Sequence, residues 1–289
     1  MTDLVNDSVN ELLSEPSTIE YAEPRTPHIG HAIFFLVFAL GVVTLTEIAA
    51  IGITHAMPAF HAIPVKDLAE FPKVTVISSL IAYMLVLVLA VFLFPAVWQR
   101  SFADGISWNL DAAKRSWKWL VPAGVVVALA SATLESFLSI PKDLPVDKFF
   151  DNRVDLWLVT VLGTLLAPVF EEICFRGFLL PAVAIAWDWI ALPRTPEARL
   201  QWQSTNTLSR TGLAIGAVLT SIGFAAMHGK QLSFTMGPLV VLFFVSLVFS
   251  LVRIRLRSVA ASSLIHASYN GFIFVVTFVQ TGGYRHLGN

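Results

Sequence analysis

Seven long apolar runs, parted by short polar stretches, dominate the chain: 31–55, 73–98, 118–140, 154–184, 211–228, 236–254 and 257–281. Each reaches or approaches the roughly 20 residues that a helix needs to cross the hydrocarbon of a bilayer. A segment surrounded by lipid must satisfy its own backbone, which selects helices. The alternating segments of about ten residues that mark a membrane barrel are absent. The pattern predicts an all-α polytopic transmembrane bundle of about seven to eight helices. The fifth run is short, from Leu213 to Met227, so its end is expected to lie within the membrane. The mixed stretch from Ile106 to Trp117 is expected to rest on the interface.

Composition strengthens the membrane reading. Charged residues make up 13% of the 289 and hydrophobic ones 56%, with a mean hydropathy of +0.72. A soluble chain of this length could not cover its surface with so few charges. A net charge of −1 gives no basic footprint for nucleic acid. The single cysteine, Cys174, rules out an intrachain disulfide or a CxxC metal knuckle. No basic region precedes the first apolar run, so that run is expected to act as a signal-anchor. Residues 1–29 carry Asp3, Asp7, Glu11, Glu15, Glu20 and Glu23 against Arg25 alone, and are expected to be disordered. The chain thus divides into an acidic tail (1–29), N-terminal transmembrane helices (30–150) and a motif-bearing core (151–284). The N-terminal tail and alternate connections hold twelve Lys and Arg against seven on the other side. That bias predicts a cytoplasmic N-terminus.

Ionisable side chains within apolar spans are costly and point to function by default. Most of them here fall on three runs of the second half. In the fourth run, Glu171 and Glu172 are adjacent and project about 100° apart on a helix. Glu172 lies four residues before Arg176, the favourable order for a helical ion pair. Glu171 is left to face the bundle interior, and Pro168 weakens the helix just before it. At the end of the fifth run, Phe224 and His228 share a helical face, and Gly229 suggests a stop. In the last run, His266 and Asn270 stack four apart on one face. Each cluster alone is compatible with a structural role, as an ion pair, a helix cap or an interhelical hydrogen bond. Glu47 and Glu135, in the first and third runs, leave a transporter open as an alternative.

Glu171-Glu172-x-x-x-Arg176, Phe224-x-x-x-His228 and His266-x-x-x-Asn270 together resemble the three signature motifs of the CAAX prenyl endopeptidase and bacteriocin-processing family of intramembrane proteases. The resemblance covers roughly 154–281, and every signature position is filled. It implies a helical bundle around a polar cavity, in which Glu171 and His228 activate water and His266 and Asn270 stabilise the oxyanion. Glu172, Arg176 and Phe224 would support the site. The implied function is an integral, multi-pass endopeptidase, in the plasma (inner) membrane if the source is bacterial. Its partners would be membrane lipids and a protein or peptide substrate, lipidated or membrane-inserted. No cofactor is expected to be obligatory, although Glu171, His228 and His266 would also suit zinc with one open position. A non-proteolytic scaffold or immunity factor keeping the same fold is the main alternative.

Overall fold

The structure, a computed structural model, describes residues 25–138 and 144–287. The disorder expected over 1–29 therefore falls almost wholly outside the described residues. Among the described residues, seven helices are long and apolar enough to cross a membrane: α1 (Ile29–Ala56), α2 (Pro72–Trp98), α3 (Leu110–Glu135), α4 (Arg153–Ala191), α5 (Arg210–Met227), α6 (Met236–Leu256) and α7 (Val259–Gln280). There is no strand among the described residues. The protein is an all-α, multi-pass integral membrane bundle.

Polar residues flanking the apolar runs set the helix starts. Asn109 accepts from the backbone N–H of Ala112 at 3.0 Å, so α3 starts at Leu110 rather than at residue 118. Of the stretch expected along the interface, 110–117 therefore belongs to α3 and only 106–109 lies before it, as a turn. Asn152 caps α4, Ser209 caps α5 and Ser258 caps α7. Ser209 is held in turn by Asp188 near the end of α4: its backbone N–H donates to Oδ2 at 2.8 Å and its hydroxyl to Oδ1.

Connections on each face of the bundle touch one another, as alternating crossings require. On one face Lys148 pairs with Glu70 at 3.3 Å. On the other, the Arg25 guanidinium lies 3.3 Å from the Trp202 ring centroid and donates to Thr205 O. On that same side the Ser258 hydroxyl donates to Asn109 O at 2.6 Å, and Val259 N–H to Ser107 O at 3.0 Å.

Two apolar clusters hold the helices. The first is aromatic: Phe35 of α1 stacks on Phe178 of α4 at 4.2 Å, with Phe94 and Trp98 of α2 closing around it. The second joins α3, α6 and α7 through Leu120, Val245, Phe249 and Ile265. The most extensive helix pair is α3 with α7. Gly124 permits it, since a Cβ there would sit 2.7 Å from Ile265 O. Gly212 and Gly216, one turn apart on α5, likewise let α5 approach α4. A Cβ at Gly216 would lie 2.8 Å from Leu180 O. Small residues at such spacing allow close helix contact in lipid, where no hydrophobic force separates the two states.

Candidate active site

Glu172 lies at the middle of the 39-residue α4, and the helix is not regular there. Two π-helical turns, Leu162–Leu166 and Ile173–Leu179, flank the α-helical segment Ala167–Glu172. Each π turn runs into a proline, with the same consequence. In the first, Ala167 N–H bonds to Leu162 O. The next such bond would need an N–H at residue 168, and Pro168 has none. The Gly163 carbonyl is left open, and Asn270 Nδ2 of α7 donates to it at 2.7 Å. In the second, Leu180 N–H bonds to Phe175 O. Pro181 then leaves the Arg176 carbonyl open, and Arg253 Nε of α6 donates to it at 3.3 Å. The weakness expected at Pro168 is thus a π turn whose open carbonyl is satisfied from another helix. Such insertions concentrate at functional positions.

Between the two turns, Glu172 and Arg176 are fully buried and pair at 2.8 Å. The pair extends beyond its own helix. Arg176 Nη2 donates to both the carbonyl and the hydroxyl of Ser246 at 2.6 Å, and Nε to the Ser250 hydroxyl at 3.3 Å. Glu172 Oε1 also contacts His266 Nδ1 of α7 at 3.0 Å. A carboxylate only accepts, so Nδ1 carries the hydrogen. The other Glu172 oxygen is buried without a hydrogen bond, and the neighbouring Ser262 hydroxyl donates instead to Val259 O. Three helices therefore meet at one desolvated ion pair, and the many donors around it offset the cost of burial.

Glu171 points elsewhere, as the 100° step between neighbours requires. Its Oε2 lies 3.8 Å from His266 Nε2, and its side chain keeps 12% exposure. His266 is thus set between two carboxylates, one at each ring nitrogen. Phe249 stacks on its ring at 4.6 Å and fixes its plane. At 3.8 Å the Glu171 contact is too long for a direct hydrogen bond. Catalytic contacts often tighten only once substrate is bound.

His228 is the C-cap of α5. Its Nδ1 lies 2.8 Å from Phe224 O. A carbonyl only accepts, so Nδ1 carries the hydrogen and Nε2 presents a lone pair in the neutral ring. Phe224 lies between the two histidines, 4.8 Å from the His228 ring and 5.7 Å from that of His266. It also lies under the Arg176 guanidinium at 5.0 Å. Among the described residues His228 makes no hydrogen bond or ion pair with Glu171 or His266. Gly229 does follow the end of α5, but its backbone is right-handed. Its smallness is used for space: a Cβ would stand 2.5 Å from the Phe234 ring.

Glu171, His228 and His266 would have to converge to hold zinc. Among the described residues no group of three or more His, Cys, Asp or Glu side chains does so. His266 Nδ1 is committed to Glu172 and His228 Nδ1 to a backbone carbonyl. Cys174 is buried in the aromatic cluster. Among the described residues, Glu47 and Glu135 make no hydrogen bond or ion pair with the site residues; Glu135 lies within electrostatic reach of Tyr269.

Residues 153–272 match the family model described as type II CAAX prenyl endopeptidase Rce1-like. This segment is an Rce1-like domain. It contains Glu171, Glu172, Arg176, Phe224, His228, His266 and Asn270, whereas α1, α2 and α3 lie outside it. No match was found among curated proteins, and none among solved structures. Over that segment the chain is CAAX-protease-like, and its apolar helices make it a multi-pass membrane protein. Sequence reasoning missed several residues that frame the site: Ser246 and Ser250, Arg253, Phe249, and Tyr83 from α2. For the serines a signal existed, two hydroxyls four apart in an apolar helix. For Arg253, a charge at the polar end of an apolar run, there was none.

Proposed function

We propose that this Rce1-like protein is an intramembrane endopeptidase that adds water across a peptide bond, with Glu171 as the base. The supporting observation is His266 set between Glu172 and Glu171. Arg176 and Glu172 cancel each other's charge inside the bundle. Glu171 Oε2 and His266 Nε2 face the same space 3.8 Å apart, so a proton can pass between them during turnover. With that proton on the imidazole, Glu171 is a free carboxylate and His266 Nε2–H is a donor facing the same space.

The reaction then follows. The His228 Nε2 lone pair holds the water. As its oxygen attacks the scissile carbonyl carbon, Glu171 takes its proton. His266 Nε2–H donates to the oxyanion as it forms, in a site too dry for water to compete. Asn270 has one amide hydrogen committed to Gly163 O and one left for the oxyanion. Collapse breaks the C–N bond, and the leaving amine takes the proton from Glu171. Glu172 and Arg176 keep His266 in orientation throughout.

The substrate on this reading is a peptide segment that is lipidated or inserted in the bilayer. The water is activated by the protein's own side chains, so a chelator such as 1,10-phenanthroline should leave turnover intact. If zinc served instead, the chelator would abolish turnover and added zinc would restore it. The decisive test is the set of new peptide termini in membranes carrying wild type or Glu171→Gln. Termini present only with wild type are expected, and identical profiles would remove the peptidase reading.

A further inference from the structure

Tyr83 of α2 belongs to the part of the chain outside the matched segment, yet it stands against the site. Its ring lies flat on Phe170, with centroids 4.0 Å apart and planes 5° from parallel. Phe170 immediately precedes Glu171, and the Tyr83 phenol is within electrostatic reach of Glu171 and Cys174. The ring packs on the aromatic cluster that joins α1, α2 and α4. A buried tyrosine normally finds a partner for its hydroxyl. This one makes no hydrogen bond among the described residues, and it is not among the fully enclosed polar atoms.

The donors nearest the reacting centre are otherwise partly spent. His266 Nδ1 is held by Glu172 and one Asn270 hydrogen by Gly163 O. Of those two residues, His266 Nε2 and one Asn270 amide hydrogen are left. On the α2 side, an uncommitted donor stacked on the residue before the base is the Tyr83 hydroxyl. We propose that Tyr83 is a catalytic residue that donates a hydrogen bond to the substrate's oxyanion from the side opposite α7. The helices outside the Rce1-like segment would then contribute directly to the chemistry. No bond to Tyr83 forms or breaks, and its proton stays on the phenol.

This inference rests on the peptidase reading, and one assay separates the two. Purified wild type, Tyr83→Phe and Glu171→Gln would be compared in liposomes on a quenched fluorescent peptide ending in a prenylated C-a-a-X sequence. Tyr83→Phe keeps the ring and its stack on Phe170 and removes only the O–H. Its kcat should fall on the order of 10²-fold, as for loss of one oxyanion donor, with KM little changed and thermal unfolding unmoved. Wild-type kcat in Tyr83→Phe would overturn the assignment while leaving Glu171 as base. A drop confined to KM would make Tyr83 a substrate-binding group and also overturn it. Cleavage by Glu171→Gln at the wild-type rate, or no cleavage by wild type, would sink both proposals.

Discussion

Arg176 is fully buried, and every hydrogen bond its guanidinium donates goes to a side chain or carbonyl within the bundle. Replacing it with Met would leave Glu172 as an uncompensated charge in a dry interior. A loss of roughly 3–5 kcal/mol is expected, read as a lower unfolding midpoint in detergent. Glu172→Gln in the same chain should recover part of it; if the double variant is no more stable than Arg176→Met, the charge is not what Arg176 neutralises. The pairing of Glu172 with Arg176 was legible in the sequence, because a four-residue step on a helix fixes which side chains meet. What lies around the pair was not. Ser246 and Ser250 look like ordinary small residues of an apolar helix until the rotation of α6 against α4 is known. Asn270 was legible as a polar group facing inward, but not as the partner of Gly163 O.

At the scale of elements, the seven crossings follow directly from the apolar runs, since a bilayer imposes its thickness on any helix that spans it. The internal irregularity of α4 was visible only as Pro168. The π turn before it, and the second before Pro181, depend on which carbonyls find partners from α6 and α7. This coupling can be measured. Asn270→Ala should cost about 1–3 kcal/mol by orphaning the Gly163 carbonyl. In a Pro168→Ala background, where the backbone regains an N–H at that position, the cost of Asn270→Ala should shrink. A double-mutant cycle on unfolding free energy reads the difference, and strictly additive costs would refute the link. The α4–α5 contact was similarly hidden, since Gly212 and Gly216 carry no chemistry. Gly216→Val should destabilise the protein by roughly 1–3 kcal/mol, because its side chain meets backbone that cannot move aside. An unchanged unfolding midpoint would show that α5 has room to shift.

For the whole molecule, the Lys and Arg bias predicts a cytoplasmic N-terminus and, with it, a cytoplasmic 192–209 connection. Cys174 is the single cysteine and is buried, so Cys174→Ala gives a background for labelling. In it, Arg199→Cys should react with an impermeant thiol reagent only from the cytoplasmic side, and Lys66→Cys only from the other. Both positions are exposed, and the reverse pattern would invert the protein in the membrane. The central claim concerns chemistry rather than orientation, and the rate of peptide hydrolysis by purified wild type against folded Glu171→Gln tests it most directly. A fall on the order of 10²–10⁴-fold, with the unfolding midpoint preserved, is what a general base facing His266 predicts. Equal rates from the two proteins would mean that the carboxylate at 171 takes no part in the reaction.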